Sequence, residues 1–128
     1  LPALEPSEAN LAAILHNPAK SSKERCRAAM QISYLRRFAE PIPFTCLSLG
    51  DRVHILHLPG EPFMEYQVFA QQQRPDCQVM VAGYGDCGTG YVCMEKSFAE
   101  GGYEPTDSFV APQSEAVVKE AIAELLRR

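Results

Sequence analysis

Apolar positions recur along this chain in two rhythms, and the changes between them outline a fold. Leu11, Ile14 and Leu15 return at helical spacing and predict a helix over residues 5–17. Asn17-Pro18 stops it, because the residue before a proline is pushed out of the α region. Ser21 or Ser22 can cap a second helix that runs to about Ala39. Its inner stripe is Ala28, Ala29, Ile32, Leu35 and Phe38, while Lys23, Glu24, Arg27, Gln31 and Arg37 are expected to face water. Pro41 and Pro43 end it. The period then shortens, and the stretches 44–49 and 52–58 read as strands joined by a tight turn at Gly50-Asp51. In that register Leu47 faces His54, Cys46 faces Ile55 and Phe44 faces His57. Both sheet faces are then apolar, which predicts cover on both sides.

Pro62 suits the first turn of a helix, where its missing N–H is not needed. That helix is expected to reach about Gln73, with Phe63, Tyr66, Phe69 and Ala70 turned inward and Arg74-Pro75-Asp76 as the break. Residues 78–84 form a short apolar run that predicts a buried strand. The order strand, helix, strand over 52–84 resembles a βαβ crossover and predicts a parallel pair. One or two helical turns are expected at 94–99 and irregular chain over 103–112. A closing helix starts at Ser114, with Val117, Val118, Ala121, Ile122, Leu125 and Leu126 at helical spacing and Arg127 and Arg128 at its negative end. The elements predict one α/β or α+β domain with a small mixed sheet of about three to five strands, helices packed on it and no internal repeat.

Composition narrows the functional classes. The 128 residues are 46% hydrophobic and 22% charged, with a net charge of −4 and scattered basic residues. This is ordinary globular composition, and it points away from nucleic acid or an anionic membrane surface. No apolar run approaches the roughly 20 residues of a membrane span. The first residues, Leu-Pro-Ala-Leu-Glu, include no initiating methionine and lead us to expect a fragment of a longer protein. Cysteines at 26, 46, 77, 87 and 93 are odd in number and are expected as free, packed thiols. Cys87 and Cys93 flank a glycine loop and can pair or hold a metal, although no Cys-x-x-Cys spacing supports zinc.

Chemistry concentrates in two places. Residues 83–104 hold six of the eight glycines and three of the five tyrosines. Glycine lets other groups approach the backbone, and a tyrosine ring carries a polar tip that seeks a partner. Leu58-Pro59-Gly60-Glu61-Pro62 adds a carboxylate at a strand-to-helix corner. Glu61 reads either as an acid capping the following helix or as a metal ligand or base on a rigid corner. Tyr91 and Tyr103 read as packing residues or as pocket phenols. His54 and His57 lie three apart on a strand and point to opposite faces, so they do not share a metal; His57 can support Glu61. His16 is expected on a helix surface, and Asp86 in a turn. No Gly-x-Ser-x-Gly elbow is present. Gly83, Gly85 and Gly88 match a dinucleotide spacing, but no convincing helix follows directly and no acid sits on a following strand about 20 residues on.

In order, Leu-Pro-Gly-Glu at 58–61, a helix, a strand, a glycine-rich turn, Gly90-Tyr91-Val92 and Gly101-Gly102-Tyr103-Glu104 resemble the C-terminal part of the catalytic domain of the neutral/alkaline ceramidase family. These are zinc-dependent amidohydrolases that cleave the N-acyl bond of sphingolipids. The likeness spans about residues 44–126, and its specificity lies in that order and in the twelve-residue step from Tyr91 to Tyr103. It implies Glu61 and Tyr91 as zinc ligands and Tyr103 as a hydrogen-bond donor in the active site. The family's histidine ligands and serine motif lie upstream of the matched part. The likeness therefore implies a C-terminal segment that works with the rest of its parent chain on an N-acylated lipid or another amide. Alone it is expected to be inactive and to hold zinc weakly or not at all. Two other readings stand beside this one: a non-catalytic structural or interaction domain in which the tyrosines serve packing, and a small-ligand module at the glycine-rich loop.

Overall fold

A computed structural model of the protein describes residues 7–37, 40–85 and 89–127. Phe38 and Ala39 of the expected second helix, Asp86, Cys87 and Gly88 of the glycine loop, Arg128 and the first six residues lie outside the described residues.

The chain opens with a helical hairpin, α1 (Glu8–Leu15) and α2 (Ser22–Arg37). Ser21, rather than Ser22, is the cap. Its hydroxyl accepts from the Glu24 N–H at 3.2 Å, and the Glu24 carboxylate accepts from the Ser21 N–H at 2.9 Å, a reciprocal capping box. Lys20 at 2.8 Å and the Ser21 donors hold the Glu24 carboxyl down at about 2. Leu11, Ala28 and Ile32 form a small core between the two helices. Arg27, Gln31 and Arg37, expected in water, are half-buried, and Tyr34 is buried against Phe109 with ring centroids 6.1 Å apart. The polar stripe of α2 is therefore a contact face toward the rest of the domain, which a periodicity count does not register.

Strands β1 (Thr45–Leu49) and β2 (Val53–Pro59) form an antiparallel pair, and β2 runs parallel to β4 (Gln78–Gly85), giving the order β1-β2-β4. The parallel pair expected from the crossover is present. The hairpin register is one residue away from the expected one: Leu47 faces Ile55, Cys46 faces Leu56 and Thr45 faces His57. The turn takes in Gly50, Asp51 and Arg52, with Gly50 at φ +64°, and the extra residue shifts every pair. The shifted register puts His54, Leu56 and Leu58 on one buried face. The opposite face is not covered as expected: Leu47 and Leu49 remain 58% and 56% exposed. The reason is topological, since α1 and α2 pack on each other and leave that face alone.

Helix α3 (Met64–Gln73) begins two residues later than Pro62, with Phe63 as N-cap. Glu61-Pro62 instead forms a short strand, β3, which pairs in parallel with β5 (Tyr91–Val92) as a second, two-stranded sheet. β4 is an edge strand rather than a fully buried one. Gln67 of α3 covers its edge, donating to the Val79 carbonyl at 2.9 Å and accepting from the Val81 N–H at 2.6 Å. The side-chain amide thus does for β4 what another strand's backbone would do. Helix α4 (Glu95–Glu100), a 3₁₀ turn (Glu104–Asp107) and α5 (Ser114–Leu126) complete the chain. Val118, Ile122 and Leu126 of α5 join Tyr66 and Ala70 of α3 over Leu56, Leu58 and Val79, while Val117, expected inside, is exposed. The hydroxyl of buried Tyr66 donates to the Cys93 carbonyl at 3.1 Å, which anchors the segment after β5 to α3. The architecture is a three-stranded mixed sheet and a small second sheet, with five α-helices among the described residues.

Gly60 is where β2 gives way to β3. It sits at φ +62°, and a Cβ there would overlap the Thr89 side chain and the Gly90 carbonyl. Gly60→Ala is therefore expected to cost more than about 2 kcal/mol in urea unfolding. Gly50→Ala has the same sign of φ but nothing within 4 Å of the new Cβ, and it should cost only about 1 kcal/mol.

Candidate functional site

The site is built on the Gly60 corner. The Gly60 N–H donates to the Gly85 carbonyl at 2.8 Å, and the Tyr84 N–H donates to the Gly60 carbonyl at 2.5 Å. One residue on, the Glu61 N–H donates to the Gly90 carbonyl at 3.0 Å, and the Phe63 N–H to that of Val92 at 3.2 Å. The corner is thereby tied both to the end of β4 and to β5. These bonds place Glu61 directly opposite Tyr91 on neighbouring strands.

The side chains follow the backbone. The Tyr84 hydroxyl donates to Glu61 Oε2 at 3.4 Å, and the Tyr91 phenol lies near enough to the same carboxylate to be held protonated by it. Tyr103 meets Tyr91 edge to face, with ring centroids 6.0 Å apart and planes at 76°. The 3₁₀ turn fixes it from behind, as both the backbone N–H and the hydroxyl of Thr106 donate to its carbonyl, at 3.0 and 2.6 Å. Glu61 and the three phenols line a cleft of about 460 Å³. Arg27 and Met30 of α2 form another part of its wall, and an Arg27–Asp107 ion pair joins that helix to the 3₁₀ turn. Glu61, Tyr84 and Tyr91 also line a neighbouring cavity of about 320 Å³, beside Gln67 and Val81. They therefore stand between two hollows.

Local electrostatics keep the Tyr91 phenol neutral. Desolvation raises its pKa, and the adjacent Glu61 carboxylate raises it further by charge and by accepting its proton in a hydrogen bond. More weakly, Tyr103 and Glu104 push the same way.

The structure brings Glu61, Tyr91 and Tyr103 together around one cleft. It removes the capping reading of Glu61, which lies on β3 ahead of the Phe63 cap; the acid in the first turn of α3 is Glu65. His54 and His57 do point to opposite faces. His54 is buried with its Nδ1 2.9 Å from the Ser48 hydroxyl. His57 lies over Gly85 on the outer face, where a Cβ on that glycine would strike its ring. Cys26, Cys46, Cys77 and Cys93 are free thiols, and burial pushes the Cys93 thiol up to about 11. A pairing of Cys87 with Cys93 involves a residue outside the described ones. Among the described residues no group of three or more His, Cys, Asp or Glu side chains is placed to hold a metal ion. No helix among them is long and apolar enough to cross a membrane.

The sequence counted Tyr84 among the tyrosines of the glycine-rich stretch without giving it a role of its own, and it placed α2 nowhere near the site. Tyr84 is the one non-glycine residue at positive φ among those described, +63°. That strained geometry has no sequence signature, and the approach of α2 is a contact between residues far apart in the chain. No protein-family model matches the chain, and no curated protein or solved structure shows significant similarity to it.

Because Glu61 supplies part of the rise, Glu61→Gln is expected to bring the Tyr91 pKa down toward the ordinary tyrosine value of about 10. A spectrophotometric titration of phenolate absorbance would show one tyrosine moving to lower pH. In the unsubstituted chain, the stability that this neutral phenol adds is complete below that value and is lost as pH climbs through the higher folded pKa.

Proposed function

We propose that the chain is the C-terminal segment of a zinc-dependent amidohydrolase of the neutral/alkaline ceramidase kind. In this reading Glu61 and Tyr91 are oxygen ligands, and Tyr103 is a hydrogen-bond donor to the substrate. The observation that carries it is the β3–β5 register, which sets a carboxylate opposite a phenol, with a second phenol beside them on the same cleft. The resemblance to the ceramidase family implies the same three residues without reference to any contact between them.

The donor set limits what this chain does alone. Structural and catalytic zinc sites use three or four protein ligands, commonly nitrogen or sulfur. Glu61 and Tyr91 fit two such positions, and no further His, Cys, Asp or Glu among the described residues completes the set. In this proposal the remaining ligands come from the upstream part of the parent protein, as the resemblance implies. A bound zinc supplies Lewis acidity toward a carbonyl and a water of lowered pKa. The chain's own groups do the rest. Tyr84 holds Glu61 in place through its phenol. Tyr103, anchored by the 3₁₀ turn, offers an O–H toward the oxygen on which charge develops as an amide is attacked. Met30 and Phe109 give the cleft an apolar lining suited to an acyl chain.

The test uses the longest natural protein that carries this segment. Glu61→Gln and Tyr91→Phe should each lower bound zinc, measured by elemental analysis after dialysis. Tyr103→Phe should retain zinc and lower kcat for N-acyl amide hydrolysis by about 10²-fold. Unchanged zinc content in both ligand variants would sink the assignment.

A further inference from the structure

We propose that Glu61, Tyr84, Tyr91 and Tyr103 form a box that binds an alkylated ammonium head group. The proposal goes beyond the hydrolase reading and needs no metal at Glu61.

Two large rings stand open at the cleft. Tyr84 and Tyr103 are 70% and 61% exposed, although burial would favour both. Tyr91 and Tyr103 meet at 76° with centroids 6.0 Å apart, so their planes form two adjacent walls rather than a stack. An aromatic face carries negative potential, and a cation within about 6 Å of a ring centroid is drawn to it. Several rings set at angles around one space are the arrangement that suits a head group with methyls on every side.

The acid at the corner is held still. The Tyr84 phenol, from β4, donates to Glu61 Oε2 at 3.4 Å, and Tyr91 of β5 stands opposite Glu61 on the neighbouring strand. Tyr84 reaches it only by adopting φ +63°, a conformation that costs a bulky residue energy. Its backbone N–H bond to Gly60 holds it there. Strain of this sort persists where the surroundings over-determine it, and here it aims a ring and a hydroxyl at one carboxylate.

The charged residues lining the cleft balance, Glu61 and Asp107 against Lys23 and Arg27, and Glu104 adds a weak negative influence at Tyr91. Across the cleft lie Lys23 and Arg27, and Arg27 is engaged in its ion pair with Asp107. Phe109 and Met30 extend the apolar lining away from the box, along which a chain attached to the ammonium can run.

The chain contains no tryptophan, and three of its five tyrosines line the box, so a change in its tyrosine fluorescence on titration reports in part on the box. The experiment titrates the chain with choline, in the presence of a chelator, and repeats the titration with choline's uncharged carbon isostere, in which a tert-butyl group replaces the trimethylammonium. Choline should bind at least about 10-fold tighter than the isostere. Tyr103→Leu, which keeps apolar bulk and removes the π face, and Glu61→Gln should each weaken choline binding by about five-fold or more. Tyr103 is largely exposed, so an unchanged melting temperature for Tyr103→Leu verifies that the fold is intact. Equal affinity for choline and isostere, or choline affinity unmoved in both variants, would overturn the proposal. Since metal is chelated throughout, zinc content in the longer protein decides the hydrolase reading separately.

Discussion

Everything around the cleft depends on a single left-handed residue. Gly60 turns the chain out of β2 while its N–H and C=O both bond back to the end of β4. With a side chain at that position the strands could not close on Thr89 and Gly90. Without that closure Glu61 would not pair with Gly90, and the two-residue strand β3 would have no partner. Short strands of this kind have little stability of their own. They hold because the large sheet, its helices and the Tyr66–Cys93 bond fix both ends.

The corner creates a region where one carboxylate is shared among phenols. The Glu61 carboxylate opposes ionisation of Tyr91, so a cation that takes Tyr91 as a phenolate has to offset that charge. A cation entering the cleft would change that balance, whether it is a metal ion completed by other ligands or an organic ammonium. The zinc and ammonium proposals share one feature: a carboxylate at a corner lined by aromatic rings. They differ in what the cation is, and the ring geometry speaks to one while the donor chemistry speaks to the other.

The helical hairpin at the start of the chain contributes in an indirect way. It leaves the outer face of the sheet open, with Leu47 and Leu49 exposed, and adds only Tyr34 to the core on the inner face. It leans instead on the segment after β5 through Tyr34–Phe109 and Arg27–Asp107, and so raises a wall opposite Glu61. Half-buried Arg27 and Gln31 belong to that contact. A residue that reads as solvated on a helical wheel is here part of the cleft.

Much of the fold was legible in the sequence. Helical spacing marked α1, α2, α3 and α5, since a 3.6-residue apolar period sustained over two or more turns places one face of a helix against a core. The strand–helix–strand order predicted the parallel β2–β4 pair because a crossover of that length permits little else. Glu61, Tyr91 and Tyr103 were singled out as site residues only by the resemblance to the ceramidase family, since their local sequence reads equally as a cap and as packing rings. Tertiary structure decided the rest. One added turn residue moved the β1–β2 register, since side-chain facing alternates with every position. Glu61 became a strand residue instead of a helix cap because backbone partners distant in the chain outweigh the local preference of Pro62. Strain at Tyr84 and the approach of α2 to the cleft arise only when distant segments pack. No local pattern encodes them, because their energy lies in contacts the linear chain does not contain.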